Sequence, residues 1–236
     1  MFVSCIRIDC GNSWVALAAL DLQPLFYCSS LNRSAQRTLR TCKQIIQQFV
    51  LDGVARTSKI LRAHGEPPDV ISRRLRTEFR RGFDIPAIAY FALGSARGRL
   101  SPEQGQLYER EFEELVVQTY TSRIIHYGPR VKTDISDIIR FTGHRPINDE
   151  QVLLHSQVNR QGANWVKIDW RIRRRGGAYA ILDIMILGIS QAMLYKSEIE
   201  SVVSRNGRGV DGLVDTLREK NQEIRMGRKP EDATLR

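Results

Sequence analysis

No run of eighteen apolar residues occurs anywhere in the 236-residue chain, so a membrane-spanning helix is excluded. Cysteine is scarce as well. The four cysteines, Cys5, Cys10, Cys28 and Cys42, fit neither a disulfide framework nor the paired spacing of a metal site. Nothing reads as HExxH, GxSxG or a glycine-rich phosphate loop, and His64, His126, His144 and His155 are dispersed. These absences leave no local catalytic motif and no metal or cofactor site. Eight prolines and seventeen glycines are ordinary usage, against a collagenous or low-complexity chain.

What is present is a basic globular sequence. The net charge is +10, divided as −1 over residues 1–31, +7 over 32–130 and +4 over 131–236, so it belongs to the body of the chain and not to a tail. Such a field favours an anionic partner without choosing among nucleic acid, lipid headgroups and acidic protein. Residues 1–31 form an atypical leader. Arg7 precedes the apolar stretch Trp14–Leu20, but Asp9 and Asp21 interrupt the pattern of an export signal and Tyr27 spoils a lipoprotein box at Cys28.

Helical spacing begins after the leader. Leu39, Cys42, Ile45, Ile46, Phe49, Val50, Val54 and Leu61 define a long amphipathic helix, stopped by Gly65-Glu66-Pro67-Pro68. Ile71, Leu75, Phe79 and Phe83 mark a second helix. Asp84-Ile85-Pro86 caps a short third, ended by Gly94. Ser101-Pro102-Glu103-Gln104 is a capping box opening a long helix that runs to Gly128-Pro129.

After Arg130 the period changes to two. Strands are expected over 131–141, 150–158, 165–173 and 178–187, with turns at Thr142–Pro146 and Arg174–Gly177. In the third strand Val166, Ile168, Trp170 and Ile172 share a face. In the fourth, Ala180, Leu182, Ile184 and Ile186 alternate with Tyr179, Ile181, Asp183, Met185 and Leu187. Two closing helices follow, one capped by Ser190 and one from about Val210, before a polar tail over 226–236. Helices, antiparallel strands and helices in that order give the α+β class, with about four strands under a helical layer.

Asp183, embedded in an apolar strand, is a candidate general base, as is His126 if an enzyme pocket exists; the residues favour a structural carboxylate. Arg173, Arg174 and Arg175 form the densest basic patch. Apart from Trp165, aromatic residues do not alternate with them, which argues against nucleic acid and leaves a solvated hairpin or a docking patch for an anionic headgroup or protein.

Several segments resemble the MlaC/toluene-tolerance family of periplasmic lipid-transport proteins, including a hopanoid-associated branch. They are Asp183-Ile184-Met185-Ile186-Leu187-Gly188-Ile189-Ser190, Tyr195-Lys196-Ser197-Glu198 and Arg205-Asn206-Gly207-Arg208-Gly209-Val210-Asp211-Gly212-Leu213. Upstream lie Phe83–Pro86, Ala92-Leu93-Gly94 and Leu100–Gln104 in the same order. Tyr179 stands where many relatives have tryptophan. The resemblance implies one lipid-binding domain over 32–225, with the sheet and helices enclosing an apolar cavity. It implies a non-enzymatic carrier whose cargo is phospholipid or a hopanoid-like lipid. It further implies a periplasmic location, transient contact with membrane surfaces, and partners in an inner-membrane ABC transporter complex and an outer-membrane lipoprotein complex. Two acyl chains expose about 30 methylenes, whose hydration costs on the order of 20 kcal/mol, so such cargo needs a carrier. The expected cavity residues are Tyr90, Leu93, Val116, Tyr120, Ile168, Trp170, Ile172, Leu182, Ile184 and Ile186. Alternation alone leaves open which sheet face lines it, and an ordinary core role is the rival for each.

Overall fold

The computed structural model describes residues 33–63, 66–127, 139–160, 164–205 and 208–226. The expected leader, nearly all of the polar tail, and residues 131–138 of the first expected strand lie outside these residues. Helix α1 spans Arg33–Leu61 and α2 spans Pro68–Gly82, with Pro67 and Pro68 placed where the first helical turn needs no N–H donors. Helix α3, Ile85–Ala92, is capped as its sequence requires, since the Asp84 carboxylate accepts the Ala87 N–H at 3.2 Å.

A single 3₁₀ stretch, Gly94–Arg99, follows. Gly94 has φ of +52°, where an L side chain is strained, and a Cβ there would also press on the Glu200 side chain, so glycine is favoured. Helix α4, Pro102–Tyr127, opens on a reciprocal box. Ser101 Oγ accepts the Gln104 N–H at 3.3 Å while Gln104 Oε1 accepts the Ser101 N–H at 2.8 Å.

Five antiparallel strands follow in simple meander order: β1 Ile139–Pro146, β2 Gln151–Arg160, β3 Asn164–Arg175, β4 Ala178–Ile186 and the two-residue β5 Ile189–Ser190. Helices α5, Gln191–Arg205, and α6, Gly209–Arg225, complete the described fold.

Two expectations are corrected here. Thr142–Pro146 is not a turn: it belongs to β1, because Gly143 serves a bulge between Phe141 and Gly143 and the strand resumes to pair Pro146 with Val152. Strict alternation in β4 also fails. Arg171 stands opposite Asp183 and Ile172 opposite Ile181, so Leu182 is the unpaired extra residue of a second bulge. The phase therefore switches, and Tyr179, Ile181 and Ile184 all pack toward α1.

The core has two parts. One joins α2 through α6 around Phe112, Leu115, Leu213 and Leu217. The other lies between α1 and the sheet, where Ile46 and Val50 meet Leu154, Ile172 and Ile181. Phe83 borders both. Its neighbour Asp84 donates its backbone N–H to Ile181 O at 3.0 Å, which pins the α2–α3 junction to β4.

Candidate functional site

Between the helical core and the sheet runs an apolar seam. Phe79 and Phe83 from α2 and its end, Ile88 from α3, Val116 and Tyr120 from α4, Leu182 and Ile184 from β4, and Ala192 and Tyr195 from α5 line it, with Asp183 and Gln191 as the polar members. Phe83, Phe79 and Tyr120 form a continuous aromatic stack, with ring centroids 4.0 Å apart for the first pair and 5.3 Å for the second. The open space in the seam is about 20 Å³, room for roughly one water.

Both polar liners are engaged. Asp183 Oδ2 accepts the Ser190 hydroxyl at 2.5 Å and Oδ1 accepts the Ala192 N–H at 3.0 Å, while Ser190 Oγ accepts the Met193 N–H at 3.0 Å. The carboxylate and Ser190 together cap α5 at its positive end. Asp183 is therefore a helix-capping group, with both oxygens committed. Gln191 Oε1 accepts the Tyr120 hydroxyl at 3.4 Å, and its amide donates to Ile189 O at 3.3 Å. His126 lies in the last turn of α4, its side chain outside the described ones. His155 Nδ1 lies 3.0 Å from the buried Asp169 carboxylate, which also pairs with Lys167 at 3.1 Å. Among the described residues no three His, Cys, Asp or Glu side chains stand together as a metal would require.

The ten cavity residues expected from sequence fall into separate places. Val116, Tyr120, Leu182 and Ile184 share the seam. Ile172 and the half-buried Trp170 pack under α1, with the Trp170 indole N–H donating to Ser156 Oγ at 2.9 Å. Ile168 pairs with Ile186, which is exposed at the far end of the sheet. Tyr90 and Leu93 border a different depression of about 310 Å³, between α3, the 3₁₀ stretch and α4. There the Arg97 guanidinium lies 4.1 Å over the exposed Tyr90 ring and donates to Tyr90 O at 2.7 Å. Beneath it Tyr108 donates to Ala89 O at 3.0 Å, and burial pushes its phenol well above the ordinary value. Phe79 and Phe83 are legible in sequence only as apolar positions at helical spacing and Tyr195 only within a family-like segment; nothing local distinguishes a seam liner from a core residue.

The basic hairpin is divided too. Arg173 is half-buried and forms an ion pair with Asp84, the α3 cap, whereas Arg174 lies beyond that contact and the Arg175 side chain is outside the described ones.

A helical layer over a bulged antiparallel meander, with its apolar interior divided by a seam, is the architecture against which known proteins compare. The family model described as MlaC protein matches residues 52–219. The chain belongs to the MlaC family. Among solved structures, this MlaC-family chain is similar to the phospholipid-binding protein from Ralstonia solanacearum, solved in complex with a phospholipid at 1.53 Å. The identity is 24%, the TM-score 0.63, and the match covers 76% of this chain and 98% of that one. At that identity the likeness is one of fold. No curated protein matches the chain significantly. No described helix of this MlaC-family chain is long and apolar enough to cross a membrane.

Proposed function

We propose that this MlaC-family protein is a non-enzymatic lipid carrier, with residues 32–225 as its binding unit, and that it holds phospholipid acyl chains by parting the helical layer from the sheet along the aromatic seam. The observation that carries this is the divided core. Two apolar clusters meet at Phe83 along a seam lined almost wholly by hydrocarbon. A fold stabilised by one continuous core has no such line of weakness. The family match and the phospholipid bound in the Ralstonia solanacearum neighbour support the reading.

The seam's space of about 20 Å³ is far below the roughly 300–1,000 Å³ of ordinary ligand sites. A phospholipid does not fit in that space, so in this reading loading along the seam requires the two clusters to separate. Exposing their facing surfaces to water is unfavourable unless acyl chains replace the lost contacts, so opening and loading are coupled. Because apolar cavity and bilayer interior are equivalent environments for a hydrocarbon chain, the direction of transfer comes from the partners. In this reading those are an inner-membrane ABC transporter complex and an outer-membrane lipoprotein complex in the periplasm.

The alternative of a small-molecule enzyme is disfavoured by Asp183, whose two oxygens cap α5. Native mass spectrometry with lipid extraction, on protein purified gently from its own compartment, tests the proposal. A diacyl or polycyclic lipid at stoichiometric occupancy is expected; protein that is folded, monodisperse and free of lipid would overturn it.

A further inference from the structure

The turn joining β4 to β5 carries a residue that its backbone does not favour. Leu187 and Gly188 have φ of 52° and 84°. Two successive residues at positive φ make a tight hairpin turn whose preferred pair is Asn-Gly, because asparagine tolerates the left-handed region and leucine does not. Leu187 is moreover 67% exposed, so packing in the core does not account for it either. Ile189, Met193 and Leu194, the next large apolar residues, are also exposed. The stretch 186–194 contains no charged residue. A strained, exposed leucine at the centre of an uncharged apolar tip points outward, to a partner.

The sheet register identifies what surrounds the tip. Arg140 stands opposite Gln157, Gln157 opposite Lys167, and Lys167 O accepts the Leu187 N–H at 2.9 Å. One row thus crosses the sheet end from two cations to the apolar turn. The Arg140 guanidinium lies 3.8 Å over the ring of Trp165, which is itself exposed. Among the described residues of this row's strands the neighbouring acid is Asp169, buried and already paired with Lys167 and His155.

We propose that this end of the sheet docks on an anionic phospholipid surface. Leu187, Ile189 and Met193 enter the outer part of the acyl layer, while Trp165, Arg140 and Lys167 rest at headgroup level. The ordering is that of an interfacial anchor: hydrocarbon first, then an amphipathic ring, then cations, on a chain of net charge +10. The inference rests on the carrier reading and adds to it the surface at which cargo changes hands. It also places membrane contact at the end of the sheet opposite the Arg174–Gly177 hairpin.

The full chain is to be co-sedimented with vesicles of phosphatidylglycerol and phosphatidylcholine in equal parts, and with vesicles of phosphatidylcholine alone. Binding to the first should exceed binding to the second and weaken with salt. Leu187→Asn fits the turn better and removes the apolar tip. It should lower vesicle affinity by about tenfold with Tm unchanged or raised, and the L187N/M193Q double variant should lower it further. Bound lipid, read by native mass spectrometry, should be the same in all three proteins. Wild-type affinity in L187N would overturn the proposal. So would self-association of the wild type that L187N abolishes, since the occupant is then a second copy. Protein that docks through Leu187 yet carries no lipid would uphold the docking surface and overturn the carrier reading.

Discussion

At the residue scale, Asp183 joins strand to helix. Its two acceptors hold the Ser190 hydroxyl and the Ala192 N–H, so Asp183→Ala should cost about 1–2 kcal/mol, measured by urea unfolding, with the lipid content of the folded fraction unchanged. Loss of lipid exchange at full stability would instead give the carboxylate a functional role. Arg173 makes a second case. Its partner Asp84 caps α3 and is half-buried, so Arg173→Gln strands that carboxylate and should cost about 1–3 kcal/mol, whereas Arg174→Gln should stay within about 0.5 kcal/mol. Equal effects of the two substitutions in chemical denaturation would show the ion pair to be idle. The sequence marks Asp183 as a structural carboxylate, Ser190 as a helix cap and Arg173 as one of a basic docking patch, whereas the structure pairs Arg173 with Asp84. The difference has a physical reason: a cap such as Ser190 acts over three residues, while the Arg173–Asp84 pair closes over 89 residues, a separation that no local pattern encodes.

At the scale of elements, helices were legible and sheet phase was not. Helix boundaries follow from local chemistry, and the capping box at Ser101 and the cap at Asp84 appear where their spacing demands. Strand faces depend on register, and one unpaired residue reverses them, as Leu182 does in β4. The expected cavity set is scattered for a further reason, because residues sharing a strand face lie at different points along it and Tyr90 and Leu93 border a separate depression. Between helices, Glu114 on α4 meets Arg76 on α2 at 2.8 Å and Arg225 on α6 at 3.8 Å. Burial alone would raise its carboxyl, but the hydrogen bonds from Arg76 and Gln118, aided by both guanidinium charges, hold it below the ordinary 4.5. A carboxyl lowered in the folded state binds its proton more readily when unfolded. Its stabilisation is therefore complete above about pH 4.5 and is lost as pH falls through the lower folded value. Glu114→Gln should flatten that part of the acid-unfolding profile and cost about 1 kcal/mol at neutral pH, a modest figure because the group is partly solvated. An unchanged acid profile in the variant would show that other carboxylates govern it.

At the scale of the whole molecule, a ligand that binds only the folded chain raises its stability by mass action, so stripping lipid should lower Tm, and adding phospholipid back should restore it. Val116→Trp fills the seam from α4. It should reduce lipid occupancy severalfold, while overpacking costs about 1–3 kcal/mol, both read on one sample by native mass spectrometry and thermal unfolding. Normal occupancy in that variant would move the cargo elsewhere, to the space under α1 or to the depression beside Tyr90. The meander's outer strand has a further consequence. Among the described residues β1 is an edge, broken by its bulge, bearing exposed Arg140, His144 and Arg145, and closed by Pro146, while on the opposite side β5 pairs only with Met185 and Ile186 of β4 and the Phe83–Asp84 junction meets β4 at Ile181. A neighbouring chain seeking to extend the sheet finds like charge, a missing donor and a crooked ladder on one side, and on the other a strand bulged at Leu182 and already engaged at Ile181. An opening of the interior, as proposed above, therefore leaves little straight and unguarded strand edge among the described residues to seed strand-by-strand polymerisation into fibres.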